Sequence, residues 1–256
     1  MRTIQKYPAP NSLTQWQGPR LAANRFEGME CTYEEMRRVS TVLEAVEDNV
    51  FAEQGGICAY TGHRLGLTPA QPSKGIQREA NFHIEHLIPQ MYCQVEYGTY
   101  GKDTEYDNLV ACWPRPNCGF EPAYGARKKG GWPSVAEQAQ FVSPLRADCS
   151  ARFAYNHRGE ISAAHINDAA TNETIDRLGL KHPTLTALRR EAIRGTLNPA
   201  SRPIKLTEAR RLLQRMQQDS NHVNQGISTR LMPFCFAIQP ALEREIRKLE
   251  AILSQR

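Results

Sequence analysis

The chain has 256 residues, of which 40% are hydrophobic and 23% are charged, and its formal net charge at pH 7 is +5. A mean hydropathy of -0.56, with no apolar run near the roughly 20 residues of a membrane-spanning helix, excludes a membrane protein, a collagen-like fibre and a wholly disordered chain. The length allows one or two domains with a substantial core.

The amino-terminal sequence lacks the apolar stretch of a signal peptide, so we expect a cytoplasmic protein. Seven cysteines are an odd number, and in a reducing compartment they indicate thiols or metal ligands rather than a disulfide framework. The whole surplus of five positive charges lies in residues 200–256, which hold ten Lys and Arg against five Asp and Glu. Such a tail could bind nucleic acid or an acidic partner, although a solvated helical face is the favoured interpretation.

The first half of the chain changes character twice. Residues 1–30 are rich in Pro, Asn, Gln and Gly, which predicts an arm that docks on something rather than a packed element. From residue 33 to about residue 54, apolar residues recur at helical spacing, and Gly55-Gly56 are expected to end that helix. Residues 57–130 predict short strands and a loop organised around a site, because short apolar pieces alternate there with Gly, Pro, His and Cys.

Helical patterns return after Trp132. A turn-prone run at residues 156–159 predicts a hairpin over 152–161. Pro240 suits a first helical turn and begins a predicted helix over 240–256, whose apolar stripe indicates either core or a seam with a partner helix. The other predicted helices cover residues 134–141, 171–178, 185–193 and 206–216.

The segment NFHIEHLIPQ at residues 81–90 carries the chemistry. Glu85 and His86 follow an apolar strand, so a carboxylate and an imidazole are expected to project side by side from its end. A histidine can take a proton from water near neutral pH, and a carboxylate can hold the divalent cation that neutralises a scissile phosphate. Alternation along the strand would place His83 on the face of Glu85, opposite His86, as an accessory group.

Two asparagines follow at a defined spacing. Asn108 lies in the segment YDNLV, and Asn117 falls nine positions later. This pattern resembles the HNH endonucleases, whose compact ββα-metal motif has an acid–His pair, a middle Asn and a final His or Asn. The resemblance implies that Glu85 binds the metal, that His86 is the general base and that Asn108 holds the loop bearing the base. It makes Asn117, at the start of the motif's helix, the second ligand of one Mg²⁺ or Mn²⁺ ion.

Many HNH proteins also bind a structural zinc through two Cys-x-x-Cys pairs, and this chain departs from that pattern. Thr61 stands where the second Cys of the first pair would be, and five residues separate Cys112 from Cys118. These thiols, with Cys58 and His63, could in principle supply four ligands. Loss of the zinc is the favoured interpretation, with Cys58 and Cys112 packing as small apolar residues.

A basic cluster at residues 124–130 falls where the motif's helix would end. Its accessory candidates are Arg127 and Lys128, which could neutralise phosphate without reading sequence. A solvated loop is an equally good interpretation of the cluster.

Scattered segments resemble a narrower family, the HNH nuclease subunit of retron-associated and Septu anti-phage systems. They are the opening Met-Arg-x-Ile-x-Lys, residues 58–62, 83–90 and 175–180, and Leu185 with Arg189. That resemblance implies a defence nuclease acting on nucleic acid, with DNA the first choice, beside an ABC/SMC-like ATPase. A retron context would add a reverse transcriptase with its RNA–DNA product. The basic tail and the stripe of residues 240–256 are then candidate docking elements.

The sequence therefore predicts an α+β protein in which a small ββα-metal core lies within a mostly helical chain. The expected regions are an arm and helix over 1–54, the HNH core over 55–133 and a helical region over 134–256. Two other functions stay open: a non-catalytic DNA-binding or scaffolding subunit, and a nuclease of RNA or tRNA with the same site.

Overall fold

The computed structural model describes residues 1–22, 30–93, 98 and 100–255. Within these ranges the strands pair as two-stranded antiparallel units among many helices, so the molecule has a mixed α+β fold, as predicted. The helices are α1 (Asn11–Ala22), α2 (Tyr33–Met36), α3 (Ser40–Glu53), α4 (Ala126–Lys129), α5 (Cys149–Arg152), α6 (Ala169–Arg177), α7 (Pro183–Leu197), α8 (Leu206–Asn224) and α9 (Cys235–Ser254). The strands are β1 (Leu67–Thr68), β2 (Glu79–Ala80), β3 (His83–His86), β4 (Leu109–Cys112), β5 (Phe153–Tyr155) and β6 (Ile161–Ala163). Shorter 3-10 turns cover Pro72–Lys74, Gln90–Tyr92, Tyr106–Asn108, Val135–Gln140 and Pro199–Ser201.

The amino-terminal segment packs against the body of the protein. Met1 and Ile4 are almost fully buried, and Leu13 and Trp16 turn one side of α1 towards α3. The prediction of an arm without a packed element is therefore wrong for α1, because two buried side chains in twelve residues leave too weak a periodic signal. Residues 23–29 of the predicted arm lie outside the described residues.

A buried ion pair fastens this segment to the centre of the molecule. The Nζ of Lys6 lies 2.6 Å from Oε1 of Glu53 and donates to the carbonyl oxygen of Leu109 at 2.8 Å. The hydroxyl of Tyr106 donates to the second oxygen of Glu53 at 2.8 Å. Burial lowers the pKa of Lys6 and raises the pKa of Glu53, so each charge depends on the other.

Residues 33–53 form two helices, α2 and α3, with a break at residues 37–39, and the predicted helix is otherwise confirmed. Gly55 and Gly56 end α3 with φ angles of 62° and 66°, in the left-handed region that favours glycine. A Cβ on Gly55 would lie 2.5 Å from Cγ of Leu231, so close packing there also requires glycine.

Residues 57–130 contain short strands joined by longer loops, as predicted, and residues 94–97 and 99 lie outside the described residues. β1 pairs with β2, and β3 pairs with β4 so that His83 lies opposite Cys112 and His86 opposite Leu109. The side-chain amide of Gln54 clamps β4, because it donates to the carbonyl of Ala111 at 2.9 Å and accepts from its N–H at 2.7 Å.

The predictions for the second half of the chain are largely confirmed. β5 and β6 form the expected hairpin around residues 156–159. α6, α7 and α8 cover or nearly cover the predicted helical segments. The segment predicted as a helix over 134–141 is a 3-10 turn, closed by a capping box of Ser134 and Glu137.

The last helix differs from its prediction in where it starts and what it contacts. α9 begins at Cys235, so Pro240 lies inside it rather than in its first turn. Leu242 and Ile246 are buried where α9 packs on α7 and α8, so this part of the stripe is core. Ile252 and Leu253 in its last turn are exposed.

None of the helices in the described ranges combines the length and the apolarity that crossing a bilayer requires.

Candidate active site

A cleft of about 290 Å³ opens beside the β3–β4 hairpin, where the loop of residues 113–125 passes in front of β3. The predicted residues that line it are His83, Glu85, Asn117 and Arg127, and its wall also includes Arg115, Phe120 and Glu121. His86 and Asn108 do not line this cleft.

Strand alternation separates the two residues of the predicted pair. His83 and Glu85 lie on the face of β3 that borders the cleft, whereas His86 points to the opposite face and is buried. The expectation that Glu85 and His86 project side by side is therefore wrong, because both are still paired with β4 at the end of β3, and alternation sends them to opposite faces. The expectation that His83 shares a face with Glu85 is confirmed.

His83 and Glu85 form a polar pair at the cleft. The Nε2 of His83 lies 3.7 Å from Oε2 of Glu85, and its Nδ1 lies 2.7 Å from the carbonyl oxygen of Pro114. Because a carbonyl only accepts, Nδ1 carries the proton and Nε2 is left to accept one when the ring is neutral. Burial works to lower the pKa of His83, but its interactions with Glu85 and the Pro114 carbonyl outweigh burial and raise it.

Glu85 has a second partner behind the cleft. The Nζ of Lys129 lies 2.9 Å from Oε1 of Glu85 and donates to the carbonyl oxygen of His86 at 2.8 Å. Burial works to raise the pKa of Glu85, but the charges and hydrogen bonds of Lys129 and His83 outweigh it and lower the pKa. Glu85 is therefore a carboxylate at neutral pH, and Lys129 positions it through Oε1.

His86 sits in a closed polar environment on the other face of the hairpin. Its Nε2 donates to the carbonyl oxygen of Asp103 at 2.9 Å, and the Tyr33 ring meets it edge-on at 4.6 Å. Burial lowers the pKa of His86 despite the negative charge of Glu85. Both the direction of the ring and its exposed fraction of 8% place His86 away from the cleft, and its role as the base stays a prediction.

Asn108 holds the segment that follows β3. Its Oδ1 accepts from the N–H of Ile88 at 2.7 Å, and its Nδ2 donates to the carbonyl oxygens of Ile88 and Lys102 at 3.2 and 2.8 Å. The side chain is buried and satisfied on both ends of its amide. Its geometry fits the predicted positioning of that loop, and Asn108 itself touches nothing in the cleft.

Asn117 lies at the cleft but not on a helix. It is exposed, with a φ of 59°, in the loop that joins β4 to α4. The prediction that it begins the motif's helix is therefore wrong, since the helix starts only at Ala126. The positive φ is a conformation that asparagine adopts more readily than most residues.

The basic cluster of residues 124–130 contains the whole of α4, the helix that follows the β3–β4 hairpin, rather than lying at the end of a longer helix. Arg127 and Lys128 are exposed, and Arg127 pairs with Glu121 at 2.7 Å. Lys129 is buried, and sequence reasoning did not single it out. The spacing of the helix could have indicated it: Lys129 follows Ala126 by three residues, so the two share one helix face, and that face is buried.

Of the three cysteines of the possible zinc site, Cys58 and Cys112 lie together in the interior and Cys118 lies apart from them. Cys58 and Cys112 are buried, whereas Cys118 is exposed and close to the carbonyl of Phe120. Burial works to raise the pKa of Cys58, but hydrogen bonds from Cys112, Thr61 and the backbone of Trp113 lower it to about 6. Over the described ranges, no three His, Cys, Asp or Glu side chains form a metal-binding group.

The ring of His63, the fourth candidate zinc ligand, stacks on Trp113 with centroids 4.2 Å apart and an interplanar angle of 5°. Its Nδ1 lies 2.9 Å from the hydroxyl of Thr61. Burial lowers the pKa of His63 to about 4, so the ring is neutral at pH 7.

The donor set at the cleft fits the magnesium or manganese ion that the HNH resemblance implies. Oε1 of Glu85 is on Lys129, Oε2 lies 3.7 Å from Nε2 of His83 beside the cleft, and Asn117 adds an exposed side-chain amide. Mg²⁺ needs no protein cage, because it binds through one or two carboxylates and takes its other ligands from water and substrate phosphates.

A comparison with protein-family models finds no match for this chain, and a comparison with curated proteins finds none.

Proposed function

We propose that the protein is a metal-dependent endonuclease of the HNH type that hydrolyses phosphodiester bonds, with DNA as the first choice of substrate. The observation that carries the proposal is the pairing of His83 with Glu85 on the cleft face of a two-stranded hairpin. The helix that follows the hairpin sends Lys129 back to β3, an arrangement compatible with a ββα core.

In this mechanism His83 is the general base in place of His86. The Pro114 carbonyl holds the proton on Nδ1, so that Nε2 receives the proton of the attacking water. The negative charge of Glu85, 3.7 Å from Nε2, favours the imidazolium that forms.

Glu85 and Asn117 would hold the divalent ion. When bound, that ion supplies positive charge to the scissile phosphate and the leaving oxygen. Arg115 and Arg127 at the rim attract the phosphates of the strand without reading its sequence. Asn108 acts as a positioning residue for the segment after β3.

Cleavage of supercoiled plasmid and of single-stranded circular DNA tests the proposal, with Mg²⁺, Mn²⁺ or EDTA and with and without a candidate ATPase partner. We expect H83Q to lower the rate by about 100-fold or more, the usual contribution of a general base, and EDTA to stop the reaction. The matched control is I166A, because Ile166 is 93% exposed and does not line the cleft. An H83Q protein that cuts plasmid like the unchanged protein would refute the assignment.

One observation favours the second candidate function, a non-catalytic DNA-binding or scaffolding subunit. The motif histidine, His86, is buried, and Lys129 already neutralises much of the charge of Glu85. This alternative predicts salt-sensitive DNA binding without nicks in any divalent metal. An RNA- or tRNA-directed nuclease would use the same site, so RNA substrates belong in the same assay.

The cellular setting is proposed from the family resemblance: a cytoplasmic anti-phage complex with an ABC/SMC-like ATPase and, in a retron, a reverse transcriptase with its RNA–DNA product. Since Leu242 and Ile246 are internal, the part of the stripe left for a partner is the exposed last turn of α9, at Ile252 and Leu253. Co-purification with the ATPase, lost on changing both residues to Ser, tests this contact.

A further inference from the structure

An exposed aromatic ring forms part of the wall of the cleft. Phe120 is 49% exposed and lines the cleft beside His83 and Asn117. One side of the ring contacts Trp113, with centroids 5.6 Å apart. The remainder faces the space that a substrate would enter.

The ring stands on a rigid support. Trp113 stacks on His63, and His63 is in turn 5.8 Å from the ring of Tyr124, which is buried. Pro114 and Pro116 each have a fixed φ within the loop that carries Phe120. A ring held in this way loses little conformational entropy when a flat ligand covers it.

The charges around the ring suit a phosphate chain. Arg115 is exposed in the cleft wall, and none of the ion pairs in the described ranges includes it. The two carboxylates of the cleft are already matched, Glu85 by Lys129 and Glu121 by Arg127. The wall thus combines surplus positive charge with an aromatic face.

We propose that Phe120 stacks on an unpaired base next to the phosphate bound at His83, so that the site takes single-stranded nucleic acid. This inference rests on the proposed function and specifies its substrate class. Bases inside a duplex are stacked on both faces and cannot reach a ring in the cleft wall. Stacking of a base on an aromatic side chain tolerates any sequence, and single-stranded DNA and RNA share the chemistry.

The test is equilibrium binding of the full chain in EDTA to oligonucleotides that contain one 2-aminopurine, whose fluorescence is quenched by stacking. Single-stranded DNA, single-stranded RNA and a blunt DNA duplex of one sequence are compared. F120L is the matched variant, since leucine still covers Trp113 but offers no aromatic face, and F120W restores one. We expect F120L to weaken single-strand binding about tenfold and to lose the quenching, with duplex binding unchanged and F120W close to the original protein.

The proposal is overturned if F120L binds and quenches like the original protein, or if the original protein prefers the duplex. A loss confined to DNA or to RNA supports stacking and identifies the natural strand. Because binding is measured without cleavage, a protein that stacks bases but never cuts in Mg²⁺ or Mn²⁺ refutes the nuclease and leaves the stacking role intact. A protein that cuts nucleic acid, and whose F120L variant binds and quenches like the original, supports the nuclease and refutes the stacking role.

Discussion

Lys129 and Glu85 meet at 2.9 Å between Nζ and Oε1, and this contact joins the helix after the hairpin to its first strand. The Lys129 side chain is 1% exposed and the Glu85 side chain 16% exposed, so neither charge has much water around it. The pair therefore positions the carboxylate at the cleft and neutralises part of its charge.

Removing one partner of this pair should be costly. We expect K129M to lower the free energy of unfolding by about 3 kcal/mol, because Glu85 would keep a buried charge without its cation. The double variant K129M/E85Q should recover part of that loss. Urea unfolding of the four proteins of the cycle measures the coupling, and full additivity of the two single changes would contradict it.

The two histidines of β3 should respond differently to replacement by a ring without nitrogen. H83F should lose cleavage by about 100-fold or more, and loss of its hydrogen bond to the Pro114 carbonyl should cost about 1 kcal/mol in stability. H86F keeps the ring next to Tyr33 but loses the hydrogen bond to Asp103, so we expect a loss of about 1–2 kcal/mol in stability. Plasmid cleavage under conditions where H86F is folded decides between them, and an inactive H86F beside an active H83F would reverse the assignment.

Asn108 should tolerate loss of its amide nitrogen poorly. N108A removes three hydrogen bonds of the segment after β3 and should cost about 2–3 kcal/mol. N108D should cost at least as much at pH 7, because a carboxylate would face the carbonyl oxygens of Ile88 and Lys102. Thermal unfolding compares the two variants, and an N108D protein as stable as the original would show that these donors contribute nothing.

The amino-terminal segment should depend on Lys6. K6M leaves Glu53 buried with donors only from the Tyr7 backbone and Tyr106, and we expect a loss of about 3 kcal/mol in unfolding free energy. K6M/E53Q should be more stable than K6M, since the uncompensated charge is gone. K6R is the control that keeps the cation, and K6M unfolding at the original denaturant midpoint would contradict the prediction.

His63 should make the protein sensitive to mild acid. Its folded pKa of about 4 lies below its value of about 6.5 when unfolded, so between those pH values the unfolded chain binds more protons. The stability contributed by the neutral ring is therefore present above pH 6.5 and is lost as the pH falls towards 4, by at most about 3 kcal/mol. Unfolding free energies at pH 7 and 4.5 measure the loss. H63F should remove this part of the pH dependence, and an unchanged pH slope in H63F would contradict the assignment.

Local patterns in the sequence were enough for much of the fold. Apolar residues recur at helical spacing in residues 33–54 and in α6, α7 and α8, because each of these helices buries one face. The turn at residues 156–159 is likewise predicted from neighbouring residues alone. The same reasoning failed for α1 and for the start of α9. Their boundaries depend on the surfaces they pack against, which no local pattern contains.

The candidate site divides in the same way. The sequence alone predicts the polar residues of the motif, and alternation along the strand predicts that His83 and Glu85 share one face of β3. Only the tertiary structure decides which face is open: Tyr33 and Asp103 close over His86, while the loop of residues 113–125 leaves a cleft beside Glu85. Lys129 reaches Glu85 for the same reason, since contacts between residues 44 positions apart arise from packing of whole elements and not from the pattern of either segment.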